Sequence, residues 1–149
     1  MGRKTKPIEI KEEGRDKGKV FVIKEMSARG AFKWGCRALS AMSRSGVPMP
    51  PNIEGTGLLG VAAIGIRGIF LADPDEIEPL LDKVMSECIR FAPSKEPELT
   101  RLVNDDLDDI EEVATVIFLY MEVLDLHVGF SVADALSKLA SAKTTTDQN

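Results

Sequence analysis

Over residues 108–127 the sequence predicts a helix that, from Ile110 on, has almost no polar side. Ile110, Val113, Ala114, Ile117, Met121 and Leu124 recur at helical spacing and predict an inward stripe. The remaining face should be polar. It carries Val116, Phe118, Leu119, Tyr120 and Val123, interrupted only by Thr115, Glu122 and Asp125. A helix that is apolar all round is either central in a core or covered by a partner. In a chain of 149 residues both arrangements stay open.

The rest of the chain supplies the elements around it. Ile8-Glu9-Ile10 and Val20-Phe21-Val22-Ile23 are short β-prone runs separated by the turn-rich Gly14-Arg15-Asp16-Lys17-Gly18, the pattern of a hairpin. Ser27 is a candidate N-cap for a helix running to about Ser45, where Gly46 and Pro48 stop it. Trp34, Ala38, Ala31, Met42, Gly35, Ala28, Leu39 and Phe32 fall on one arc of that helix. Pro48, Pro50 and Pro51 exclude regular structure after it. The apolar, glycine-dense run from Ile53 to Leu71 is a costly helix or a broken one. Asp73-Pro74 opens a further helix, with Asp at the N-cap and Pro at the first position, and Pro93 ends it. A connection follows over 93–104, with a short strand expected around Leu99–Val103. Gly129 stops the apolar helix, and Val132, Ala135, Leu136 and Leu139 mark a last one. The expected fold is mainly α (α+β), with four to five helices and a small N-terminal β-hairpin. Its expected parts are a tail over 1–6, the hairpin over 7–26, a helical domain over 27–142 and a polar tail over 143–149.

Charge is strongly polarised along this chain. Residues 1–45 hold 12 Lys/Arg against 5 Asp/Glu, a net of +7, and residues 46–149 hold 7 against 19, a net of −12. Arg29, Lys33, Arg37 and Arg44 line the outer side of the first helix, either as a solvated face or as a docking surface for something acidic. A basic patch can also bind nucleic acid. The whole chain is acidic, however, with a pI near 5.0, and has no recognition-helix motif, so no nucleic-acid partner is expected. The acidic run Asp105, Asp106, Asp108, Asp109, Glu111, Glu112 lacks the central Gly and alternating ligands of an EF-hand loop and reads as anions at a helix N-terminus.

Chemistry is poorly represented. The single histidine, His127, rules out a two-histidine metal motif, and Cys36 and Cys88 cannot fill a four-ligand site. No catalytic, metal-binding or cofactor-binding residues are assigned, and an enzyme is the least supported class. The stretch Gly55–Ile66 lies between Glu54 and Arg67 and falls short of the roughly 20 apolar residues a membrane span needs. Pro7 and alternating charges follow the basic N-terminus where a signal peptide would be apolar, so the expected location is the cytoplasm.

Five segments in order carry a family likeness. They are Asp16 to Met26, Lys33-Trp34-Gly35-Cys36-Arg37-Ala38-Leu39, Glu78-Pro79-Leu80-Leu81-Asp82, Asp109-Ile110-Glu111-Glu112-Val113-Ala114-Thr115 and Leu126-His127-Val128-Gly129-Phe130-Ser131. Over roughly residues 7–131 this set resembles the tail assembly chaperones of tailed bacteriophages and prophages. The resemblance implies a non-enzymatic protein of the bacterial host cytoplasm. It would hold the long, helical, aggregation-prone tape-measure protein while tail-tube subunits polymerise around it. The tail-tube protein and a second copy of the chain are further candidate partners. The sequence departs from the family pattern at Val116-Ile117-Phe118, which is more apolar than the resemblance implies. The candidate partner-binding residues are therefore Arg29, Lys33, Arg37 and Arg44 on one helix, and Val116, Phe118, Leu119, Tyr120 and Val123 on the other. The alternatives are a nucleic-acid-binding regulator using the basic N-terminal third, and a structural tail component.

Overall fold

A computed structural model describes residues 2–46 and 66–128. The expected last helix, the C-terminal tail and most of the glycine-dense run lie outside these residues. Strand β1 (Thr5–Glu9) pairs antiparallel with β2 (Val20–Lys24), in register from Thr5 opposite Lys24 to Glu9 opposite Val20. Helix α1 spans Ala28–Arg44. A short helix α2 (Ile66–Leu71) and helix α3 (Pro74–Cys88) follow. Strands β3 (Ile89–Ala92) and β4 (Arg101–Leu102), a single 3-10 turn (Asp105–Leu107) and helix α4 (Val113–Val128) complete the described residues.

The expectation of a mainly α fold with a small N-terminal β-hairpin is overturned. The strands form one antiparallel sheet in the order β1-β2-β3-β4, so the fold is a small α+β fold with four strands and four helices among the described residues. The first strand begins at Thr5, inside the stretch expected to be a tail, and two strands lie within the expected helical domain, β4 at the place of the expected short strand and β3 where none is expected. The overlooked strand is β3. It follows α3 with no Gly or Pro between them, and Ile89 switches at once to an extended backbone (φ −122°, ψ 126°). Its Ile89-Arg90-Phe91 alternation is the signal of a half-buried strand. Partners for it stand about 70 residues earlier, at Val20–Ile23.

That alternation builds the core. Ile8, Phe21, Ile23, Ile89 and Phe91 point to one face of the sheet and are buried there, with the Phe21 and Phe91 rings 5.2 Å apart. The helices supply the other side of the core through Trp34, Ala38 and Met42 of α1, Ile77, Leu80 and Val84 of α3, and Leu119, Val123 and Leu124 of α4. The indole N–H of Trp34 donates to the carbonyl oxygen of Leu80 at 2.9 Å, so the one polar atom of the ring is satisfied inside the core. Local signals for α1 and α3 agree with the structure. Ser27 accepts from the Gly30 N–H, and Asp73 accepts from the Asp75 N–H with Pro74 at the first helical position.

Candidate functional site

The link between β1 and β2 is more than a turn. The Ile10 N–H donates to the Lys19 carbonyl and the Gly18 N–H to the Ile10 carbonyl, closing the loop over residues 11–17. Gly18 does so at φ +88°, where a side chain would be strained. The loop drives Asp16 into the protein, leaving it 1% exposed. There its carboxylate accepts from the backbone N–H groups of Glu111 and Glu112, each at 2.9 Å, and from the Thr115 hydroxyl at 2.6 Å. The Lys19 ammonium donates to it at 2.8 Å. Burial alone would raise the Asp16 carboxyl. The hydrogen bonds from Lys19, Thr115 and the two N–H groups outweigh it and hold the group at about 2.

Asp16 thus serves as the anion at the start of α4, supplied from 95 residues away. The acidic run, expected to fill that role, is used differently. Glu111 binds Lys19 at 3.0 Å and Glu112 binds Arg15 at 2.9 Å. The Asp108 and Asp109 carbonyls also receive the Lys19 ammonium, at 3.2 and 3.1 Å. The buried Asp109 carboxylate takes both terminal nitrogens of Arg101, whose guanidinium lies 5.2 Å above the Phe91 ring. Burial pushes the Asp109 carboxyl up, but Arg101 and the Asn104 N–H prevail and hold it below the usual carboxylate range.

The far end of α4 is tied as well. His127 Nε2 accepts from the Met26 N–H at 2.8 Å, so the ring hydrogen sits on Nδ1 and is donated to the Val123 carbonyl at 2.8 Å. Lys6 binds Glu122 at 3.1 Å, and the Lys4 ammonium reaches the Leu126 carbonyl at 3.2 Å. With both ends held against the strands, α4 has one rotational setting.

That setting turns the helix away from the expected one. Thr115, Leu119, Val123 and Leu124 face inward and are buried. Of the expected inward stripe, Val113 is 77% exposed, Ala114 is exposed, and Ile117 and Met121 are only half-buried. Among the candidate residues, Leu119 and Val123 are therefore core. Val116 is half-buried, Tyr120 is half-buried and packs against the core, and Phe118 is 38% exposed. The outward ridge is Val113, Ile117, Phe118 and Met121, spaced i, i+4, i+5 and i+8. Thr115 was the available clue to the rotation: it is the one polar side chain in the first two turns, and it faces Asp16.

The second group of candidates stays on the surface. Arg29, Lys33 and Arg37 are exposed on α1 and make no ion pair among the described residues, whereas Arg44 binds Glu76 at 3.0 Å. Phe32, grouped with the core arc in the sequence, sits at its border beside this stripe and is 61% exposed. The basic stripe and the α4 ridge are not brought together into one site. Cys36 is exposed, while burial, with Glu87 nearby, pushes the Cys88 thiol up to about 12. No cluster of metal-ligating side chains occurs among the described residues, and no helix there is long and apolar enough to cross a membrane.

The exposed features are an apolar ridge on a clamped helix and a basic stripe, Arg29, Lys33 and Arg37, that makes no ion pair among the described residues, with an aromatic at its edge. No protein-family model, curated protein or solved structure matches this chain.

Proposed function

We propose that the chain is a non-enzymatic tail assembly chaperone that binds and solubilises a tape-measure protein in the cytoplasm of a bacterial host. The observation that carries this reading is the outward ridge of α4, where Val113, Ile117, Phe118 and Met121 keep apolar surface facing out along a helix clamped at both ends. An apolar helical ridge takes an amphipathic client helix through contacts at i, i+4 and i+8 spacing. A long helical client that must not aggregate presents such faces repeatedly. The polarizable, unbranched Met121 suits a surface that accommodates varied partners. The likeness of the five ordered segments to the tail chaperones supports the same reading.

Co-expression with the long coiled-coil-rich protein encoded nearby tests it. The client should be soluble with the wild-type chain and insoluble with the Phe118→Glu, Met121→Glu double variant. A client equally insoluble with and without the wild-type chain refutes the proposal. Gene order gives an independent check, since the gene should lie between a tail-tube gene and a very long tape-measure gene.

A further inference from the structure

We infer that the α1 stripe of one copy docks into a cleft beside the hairpin loop of a second copy, joining chains head to tail. The cleft, about 280 Å³, lies between that loop and the first turns of α4. Ile10, Ala114 and Phe118 line it together with the carboxylates of Glu9 and Glu12, with the single cation Lys11 between these two in sequence. Neither of these two carboxylates makes an ion pair among the described residues, unlike Glu13, which binds Lys17, and Glu112, which binds Arg15. The α1 stripe carries the same pattern with opposite sign. Phe32 is 61% exposed, flanked by Arg29, Lys33 and Arg37, which make no ion pair among the described residues.

The two surfaces are separate within one molecule. Trp34, Ala38 and Met42 turn the inner side of α1 to the core, so the stripe faces away from it, and no residue of α1 lines the cleft. The start of α1 is also held near the far end of α4 by the Met26–His127 bond, whereas the cleft is at the near end. Sixteen residues of helix separate those ends by about 24 Å. The charges therefore meet only between molecules. Phe32 would seat against Phe118, with the cations over Glu9 and Glu12. Such a contact joins two different surfaces and propagates into a chain or a ring. It borrows Phe118 from the proposed client ridge and otherwise stands apart from that proposal.

Sedimentation of the purified full chain tests this. At low salt the wild-type average mass should rise with concentration, and the rise should be lost at high salt. The Lys33→Glu, Arg37→Glu chain and the Glu9→Lys, Glu12→Lys chain should each remain monomeric, with wild-type circular dichroism. Mixed together, the first still has its cleft and the second its stripe, and the reversed stripe again meets a cleft of opposite sign, so the two chains should co-assemble although neither associates alone. Phe32→Ser, which alters no charge, should weaken the low-salt association as well. A wild-type chain that stays monomeric at every concentration overturns the inference. So does persistent association of a charge-reversed chain, or a mixture that forms no complex. Client solubility measured on the same monomeric variants separates this outcome from failure of the chaperone reading.

Discussion

Replacing Asp16 by Asn should destabilise the chain by about 2–4 kcal/mol at neutral pH. The variant keeps the shape and removes the charge. One oxygen remains to accept where two do now, and an NH2 group is turned toward donors: the N–H groups of Glu111 and Glu112, the Thr115 hydroxyl and the Lys19 ammonium. Hydrogen bonds to a charged group contribute about 1.5–3 kcal/mol each, and an orphaned buried partner costs about 1–3. The titration of Asp16 gives an independent figure. Its carboxyl falls from an ordinary 3.8 to about 2 in the folded chain, worth about 2–3 kcal/mol at about 1.4 kcal/mol per unit. Because the folded value is the lower one, this stability is complete well above pH 3.8 and is lost as pH falls through 3.8 toward 2. Urea unfolding followed by fluorescence of the single tryptophan, Trp34, measures it directly. The difference between wild type and variant should be full at pH 7 and shrink steadily below pH 4. In a chain of this length it corresponds to a melting temperature roughly 4–16 °C lower at neutral pH. A variant within about 0.5 kcal/mol of wild type, or a difference that does not change between neutral and acid pH, would refute the role given to Asp16.

The rotation of α4 makes a contrasting pair. Leu119→Ala should cost about 2–5 kcal/mol because it opens a cavity in the core, while Phe118→Ser should stay within about 1 kcal/mol, both read from urea unfolding. The reverse ranking would refute this setting of the helix. The thiols give a second check: Cys36 should react with an aromatic disulfide reagent in the native chain, and Cys88, buried and pushed up to about 12, only after unfolding. Replacing His127 by Phe should cost about 1–3 kcal/mol, since the Met26 N–H loses its acceptor, and amide exchange at Met26 should accelerate.

How far the sequence could be read depended on the range of each signal. Caps and amphipathic period are local, so Ser27, Asp73-Pro74 and the Trp34–Met42 arc mark α1 and α3 in both sequence and structure. The strand β3 was less legible. Four residues directly after a helix carry little local signal, and what makes them a strand is pairing with Val20–Ile23 far upstream. The surface of α4 was not legible at all from period. When nearly every position is apolar, the pattern has no direction, and the setting comes from polar ties at the two ends. Asp16 looked like an ordinary turn residue between two glycines because its partners begin 95 residues later. The basic stripe was legible because three of its cations, Arg29, Lys33 and Arg37, stay exposed and make no ion pair among the described residues.

The same contrast resolves the polarised charge. Arg15, Lys19, Lys6 and Arg44 come from the basic first 45 residues, and each pairs with a carboxylate of the acidic remainder: Glu112, Glu111, Glu122 and Glu76. Much of the asymmetry is thus complementarity between two parts of one fold. Among the described charges that this pairing leaves over are Arg29, Lys33 and Arg37 on α1 and Glu9 and Glu12 at the cleft. Salt should tell these two uses apart. The Lys19–Asp16 pair is shielded from solvent, and the exposed pairs contribute little individually, so added salt should barely move the unfolding midpoint. Contacts between the leftover charges of different molecules form in open solvent and should weaken steeply. A chain whose stability ignores salt while its association does not has spent part of its charge on folding and kept the rest for contact with other chains.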